Sequence, residues 1–196
     1  LAATRWKELD DELRYKWGLA VKSYPTSAPA STVAGWFNME GWGIGSLRYG
    51  GMHSQVLRAQ VVLSGGDVVE LTPNSDPPLS WFAGSEGTLG VITSLELSLR
   101  SAPEAESHRL IAFADLASLQ EAAGRLAHLD NKPYHLHFAD NVFTQVVKQA
   151  GFDTQAPPDL HLLSVHYQGT RAEVEAAEWL IAGIVRETGG KELGRD

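Results

Sequence analysis

The sequence contains no cysteine among its 196 residues. That excludes disulfide staples, a cysteine-held zinc or iron–sulfur site, and thiol catalysis within these residues. No apolar run approaches the roughly 18 residues that read as a membrane helix. No charged-then-apolar start resembles a secretory leader. Positive charge is scarce: 16 Lys and Arg stand against 24 Asp and Glu, a formal net charge of −8. This argues against nucleic acid or an anionic membrane as the main partner. It leaves a dinucleotide open, because backbone N–H groups can hold a pyrophosphate without basic side chains. Together the absences point to a cytoplasmic setting.

What is present suits a globular protein with a real core: 43% hydrophobic and 20% charged residues. The length allows one large domain or two small ones. The chain opens on Leu1 rather than Met, and LAATRWKELDDEL reads as the interior of a longer protein, so a fragment is expected.

One stretch organises the rest. Residues 24–51, YPTSAPASTVAGWFNMEGWGIGSLRYGG, hold six glycines between Gly35 and Gly51 and keep no helical or strand period. Glycine lets main chain approach a ligand closely. A long loop inside a compact domain is usually a binding element or disordered. Trp36, Phe37, Trp42, Leu47 and Tyr49 argue against disorder. The expectation is an ordered, ligand-wrapping loop, with a plain glycine-rich connection as the alternative. Gly41-Trp-Gly43-Ile-Gly45 is a poor dinucleotide fingerprint, because its third glycine is early and no βαβ unit follows.

Around the loop the pattern is conventional. Residues 4–18 predict an amphipathic helix with Thr4 as cap, Trp6, Leu9, Leu13 and Trp17 inward, and Gly18 as stop. Residues 19–23 predict a short strand. Residues 58–63 and 67–71 predict a hairpin across Ser64-Gly65-Gly66. Residues 79–83 predict a helical turn, and 89–99 a strand. Ser101–Glu106, small, polar and carrying Pro103, marks a domain boundary. Beyond it the order is β-α-β-α-β-α. Asp115 caps one helix, and Thr170 with Glu173 forms a capping box for the last.

Taken in order, five blocks resemble a known family: Tyr24-Pro-Thr-Ser-Ala-Pro, Ser31-Thr-Val-Ala-Gly35, Leu47-Arg-Tyr-Gly50, Val61-Val-Leu-Ser-Gly-Gly-Asp-Val-Val69 and Gly84-Ser-Glu-Gly-Thr-Leu-Gly-Val-Ile-Thr93. The sequence resembles the FAD-linked oxidases of the vanillyl-alcohol oxidase/PCMH type, closest to D-2-hydroxy acid dehydrogenases and the glycolate oxidase flavin subunit. The resemblance implies an α+β fold. Residues 1–102 would be the second subdomain of a PCMH-type FAD-binding domain. Residues 103–196 would be an α/β-layered, ferredoxin-like partial cap domain over the substrate. The short glycine-rich pyrophosphate loop of the first subdomain has no counterpart here, so that subdomain is expected as a partner in cis or in trans.

The resemblance also implies roles. Pro25, Thr26, Ser27, Ser31 and Thr32 would line flavin and pyrophosphate. Gly35, Gly41, Gly43 and Gly50 would let backbone pass close to ring and phosphates. Glu86, Gly90, Val91 and Ile92 would meet the adenosine half, and His53 would lie on the substrate side. The chain departs from the family at Ala34-Gly35, where Gly-Gly is common, and at Glu40-Gly41-Trp42-Gly43, where Asn-Ala-Gly-Gly is common. The implied activity is oxidation of a small 2-hydroxy acid by hydride transfer to FAD. A non-catalytic module of the same fold that binds no FAD alone is the alternative.

No catalytic base is identified. His135 and His137 share one strand face, whereas His161 and His166 lie on opposite faces. They read as sheet-surface or interface histidines, not a metal site. Without a partner subdomain, Trp36, Phe37 and Trp42 are expected to form an exposed apolar patch or to bury it in a homodimer.

Overall fold

The computed structural model describes residues 2–151, 157 and 159–195. The chain divides into two compact units, Leu1–Ala102 and Pro103–Asp196.

The first unit opens with α1 (Trp6–Trp17). Its inward positions are Trp6, fully buried, with Leu9 and Leu13 packed against the same core. Gly18 ends it in the left-handed region at φ 62° and bonds Leu13 O, a conformation that favours glycine. Thr4 is not the cap; that place falls to Arg5, whose side chain makes no capping bond. Trp17, expected inward, is the last residue of the helix and is 68% exposed.

β1 (Leu19–Ala20) pairs antiparallel with β5 (Arg100–Ser101). The 24–51 stretch is not all loop. It contains α2 (Val33–Asn38) and α3 (Ser46–Tyr49). A single 3-10 turn at Met52–Gln55 leads into β2 (Val56–Val62). The hairpin β2–β3 (Val68–Leu71) forms as its turn residues dictate, and β4 (Val91–Leu97) pairs on the other side of β2. The three-stranded sheet has the order β3-β2-β4, all antiparallel. Val56, Ala59, Val61, Leu71 and Ile92 enter the core shared by Trp6, Val33, Trp36 and Phe37.

The second unit runs β6 (Ala105–Phe113), α4 (Leu116–Ala127), β7 (His135–Ala139), α5 (Asn141–Gln149), β8 (His161–Gly169), α6 (Arg171–Glu187) and β9 (Lys191–Arg195). Asp115 caps α4 by accepting from Ser118 N, and the Thr170–Glu173 capping box starts α6. The sheet order is β7-β8-β6-β9, antiparallel throughout. That is a ferredoxin-like order with α5 as an extra helix. The pattern ending on a helix missed β9, which completes the sheet beside β6. Ile111, Phe113, Leu163, Val165 and Tyr167 pack against Leu119 and Leu126 of α4 and Ala177 and Ile181 of α6. No helix among the described residues is long and apolar enough to cross a membrane.

Candidate cofactor-binding surface

α2 organises the surface where the sequence places its site residues. Thr32 caps it, Oγ1 accepting from Gly35 N at 3.2 Å. Four of its six residues, Val33, Ala34, Trp36 and Phe37, are buried. Ahead of it, Pro25–Ser31 forms a compact turn. Ala28 N bonds Pro25 O, both Ala30 N and Ser31 N bond Ser27 O, and the Ser27 and Ser31 hydroxyls lie 2.6 Å apart. This turn is tied down by α1, whose Trp6 N and Lys7 N donate to Ser31 O and Ala28 O. Thr26, Ser27 and Gly35 are exposed, while Ser31 and Thr32 are half-buried.

About 9 Å along, at 1.5 Å per residue, α2 ends in a Schellman motif. Gly41 N bonds Trp36 O and Glu40 N bonds Phe37 O, both at 3.0 Å. The left-handed position of this motif is held by Glu40, at φ 48°, where glycine is usual. The 84–86 loop closes on the same end: Gly84 N donates to Phe37 O and Glu86 N to Asn38 O. Glu86 is the second non-glycine residue with positive φ, at 53°. Strained residues of this kind cluster at binding and catalytic sites. Asn38 Oδ1 and Ser85 Oγ, on the two facing segments, are shielded from water and have no hydrogen-bond partner. His53 Nδ1 stands 3.8 Å from Glu40 Oε1, and its ring centroid is 6.2 Å from that of Trp42.

Several expected site residues are placed otherwise. The glycines do not line an open loop. The Gly35 amide bonds Thr32 Oγ1, Gly41 bonds Trp36 O, Gly43 bonds Ser46 Oγ and Gly50 bonds Ser46 O. None of these four amides is left to donate to a phosphate. Gly41 is itself buried, because the Trp36 indole lies over it. Pro25 is buried, and the Ile92 side chain belongs to the core. Gly90 lies tight on β2: a Cβ there would come within 2.8 Å of Val62 O. Val91 is 66% exposed. The tryptophan patch also divides. Trp36 and Phe37 are core, and Trp42 alone is open, at 64%. The structure thus gathers Thr26, Ser27, Ser31, Thr32 and Gly35 at one end of α2, and Glu40, Trp42, His53 and Glu86 at the other.

Residues 2–72 match the family model described as an FAD binding domain. The D-lactate dehydrogenase [cytochrome], mitochondrial, of Arabidopsis thaliana is 32% identical over 124 residues, covering 60% of this chain and 21% of that protein. Glycolate oxidase subunit GlcD of Bacillus subtilis is 26% identical over 137 residues, covering 67% and 29%. Among solved structures, alkyldihydroxyacetonephosphate synthase superposes with a TM-score of 0.83 at 21% identity, over 98% of this chain and 39% of that one.

The chain is similar to FAD-linked oxidases, and its match to the FAD binding domain covers residues 2–72. It spans between about a fifth and two fifths of the length of these relatives. The matched domain implies FAD as the cofactor, and the surface residues fit such a group. Exposed hydroxyls at one end of α2 suit an anionic diphosphate. Trp42, where the sequence departs from the resemblance, projects its large ring from this surface.

Sequence reasoning missed three features here. The left-handed glutamates, the orphaned oxygens and the burial of Trp36 over Gly41 all depend on the 84–86 loop or the core reaching back to α2. The excess of glycine beside aromatics was the available signal for the last.

Proposed function

We propose that this chain supplies the second cofactor-holding lobe and part of the cap of an FAD-dependent oxidoreductase. Its substrate would be a small 2-hydroxy acid of the glycolate or D-lactate type. The observation that carries this reading is the row of hydroxyls, Thr26, Ser27, Ser31 and Thr32, presented at the start of α2 within the stretch that matches an FAD binding domain. FAD, when bound, supplies the acceptor for the hydride on the substrate's 2-carbon. Thr26, Ser27, Ser31 and Thr32 hold the diphosphate and the polar edge of the ring. Gly35, without a side chain, lets the cofactor lie against the first turn of α2. The backbone of Glu86, Gly90 and Val91 meets the adenosine half. Trp42 covers the ring and keeps water from it, and His53, oriented toward Glu40, stands on the substrate side.

In this reading the rest of the FAD site comes from the glycine-rich first subdomain, in cis or in trans. The test measures FAD retained after gel filtration by the chain joined to that subdomain. Retention of yellow flavin, falling at least tenfold in the Thr26→Ala/Ser27→Ala variant, is expected. A colourless joined protein, or retention indifferent to that variant, would overturn the reading. The cytoplasmic location belongs to the same proposal; relatives with mitochondrial names make fractionation of the native protein its test.

A second reading has its own support. The internally satisfied glycine amides and the open Trp42 ring also suit a non-catalytic module that associates through this surface. A homodimer is then the expected partner, and sedimentation of the wild type against Trp42→Ala distinguishes it.

A further inference from the structure

The four-stranded sheet of the second unit packs α4 and α6 against one face only. The side chains that alternate away from that face are unusually rich in imidazole. Strand register sets His108 of β6 opposite His166 of β8, and His166 opposite His135 of β7. Residues directly opposite in an antiparallel pair point to the same side, so three histidines form a row across the sheet. Glu106, two residues before His108, shares this side.

Three members of the group converge. His166 Nε2 lies 3.1 Å and His108 Nε2 3.7 Å from Glu106 Oε2. All three ligand atoms fall within 4.8 Å of one another. The His108 and His166 rings stack at 3.7 Å between centroids, with 24° between planes. His166 is buried, and Tyr134 sets its ring edge-on to it at 5.3 Å. His108 and Glu106 are exposed.

We propose that Glu106, His108 and His166 form a site for a borderline divalent transition-metal ion, with zinc the first choice. Metal–ligand bonds of 2.0–2.2 Å in a tetrahedron separate the ligand atoms by about 3.4 Å. The two carboxylate–imidazole separations straddle that value, and binding one ion would turn the Nε2 atoms of the stacked rings toward it. Two imidazoles stacked this closely repel each other if both are protonated. A metal takes both as neutral imidazoles, each with a lone pair turned to the ion. Two histidines and one carboxylate leave a fourth position open, on the exposed side of His108, for water or a ligand oxygen. The buried His166 gives the site its fixed point.

The experiment uses the whole 196-residue chain, stripped with a chelator, loaded with zinc and dialysed before elemental analysis. One equivalent of zinc is expected to remain. Glu106→Gln and His108→Asn change exposed positions, and circular dichroism checks that each variant keeps the fold. Each is expected to reduce retained zinc at least tenfold. His137→Asn, on the same side but outside the triad, is expected to retain it. Zinc not held by the wild type, held equally by either triad variant, or lost equally in His137→Asn overturns the proposal. The site does not depend on the FAD assignment, since cofactor loss leaves its readout unchanged.

Discussion

The indole of Trp36 fills the space that a side chain on Gly41 would need. A Cβ built there would sit 2.0 Å from Trp36 Nε1 and 2.1 Å from its Cε2. The ring cannot retreat, because Trp6 meets it edge-on at 5.4 Å and both belong to the core. Gly41→Ala is therefore predicted to destabilise the first unit by about 3 kcal/mol, the upper end of overpacking costs. Gly183, inside α6 with nothing within 4 Å of its Cβ direction, is the contrast. Gly183→Ala should stabilise by about 1 kcal/mol through helix propensity. Urea unfolding of both variants checks the pair, and equal destabilisation would sink the packing argument.

Glu40 sits at φ 48° in a position that glycine would occupy without strain. Its Cβ comes within 3.2 Å of a Cβ direction at Gly84, so the two segments also crowd. Glu40→Gly should raise stability by about 1 kcal/mol, the cost of a left-handed residue with a side chain. If Glu40 is kept for the cofactor surface, the more stable variant should bind FAD no better, or worse, in the joined protein. A loss of stability in Glu40→Gly would mean that its contact with His53 outweighs the strain.

In the second unit Arg109 is 2% exposed at its side chain and faces two carboxylates. Its Nε is 3.2 Å from Glu192 Oε1 and its Nη2 is 3.9 Å from Glu178 Oε1. The Nε–H makes no aligned hydrogen bond, so the attraction is ionic rather than directional. Removing both acids leaves a buried, uncompensated cation. The Glu178→Gln/Glu192→Gln variant should lose about 3 kcal/mol. Arg109→Met, with a side chain of similar length, should lose less. The reverse order in thermal melts would show that the guanidinium matters for its packing and not for its charge.

How far the sequence carried these results depends on the range of the interaction. Asp115 and Thr170 announced their helices because capping is settled within three residues. Ser64-Gly65-Gly66 announced its hairpin for the same reason. α2 was hidden: six residues with a glycine in the first turn are helical only because Val33, Ala34, Trp36 and Phe37 find a core. β9 carries no alternating pattern in Lys191–Arg195 and exists through pairing with β6. Hydroxyls at Thr26–Thr32 could be named because the loop is local. The pairing of His108 with His166 could not, because a register between distant strands decides which histidines meet. His135 and His137, two apart on one strand, were legible, and their rings do stack at 6.1 Å.

That histidine row also sets a pH dependence. Burial holds the His135 imidazole below its ordinary value of 6.5, and the neighbouring His137 and His166 push in the same direction. The folded protein thus keeps His135 neutral at a pH where the unfolded chain already binds a proton. Stability then rises with pH in that window. The contribution is complete above about 6.5 and is lost as pH falls from there toward the lower folded value. Between about pH 7.5 and about pH 5.5 the wild-type second unit should lose more stability than His135→Gln, which carries no titrating group at this position. The comparison is of slopes, so any packing cost of the glutamine cancels. Parallel stability–pH curves for the two proteins would place the acid sensitivity elsewhere.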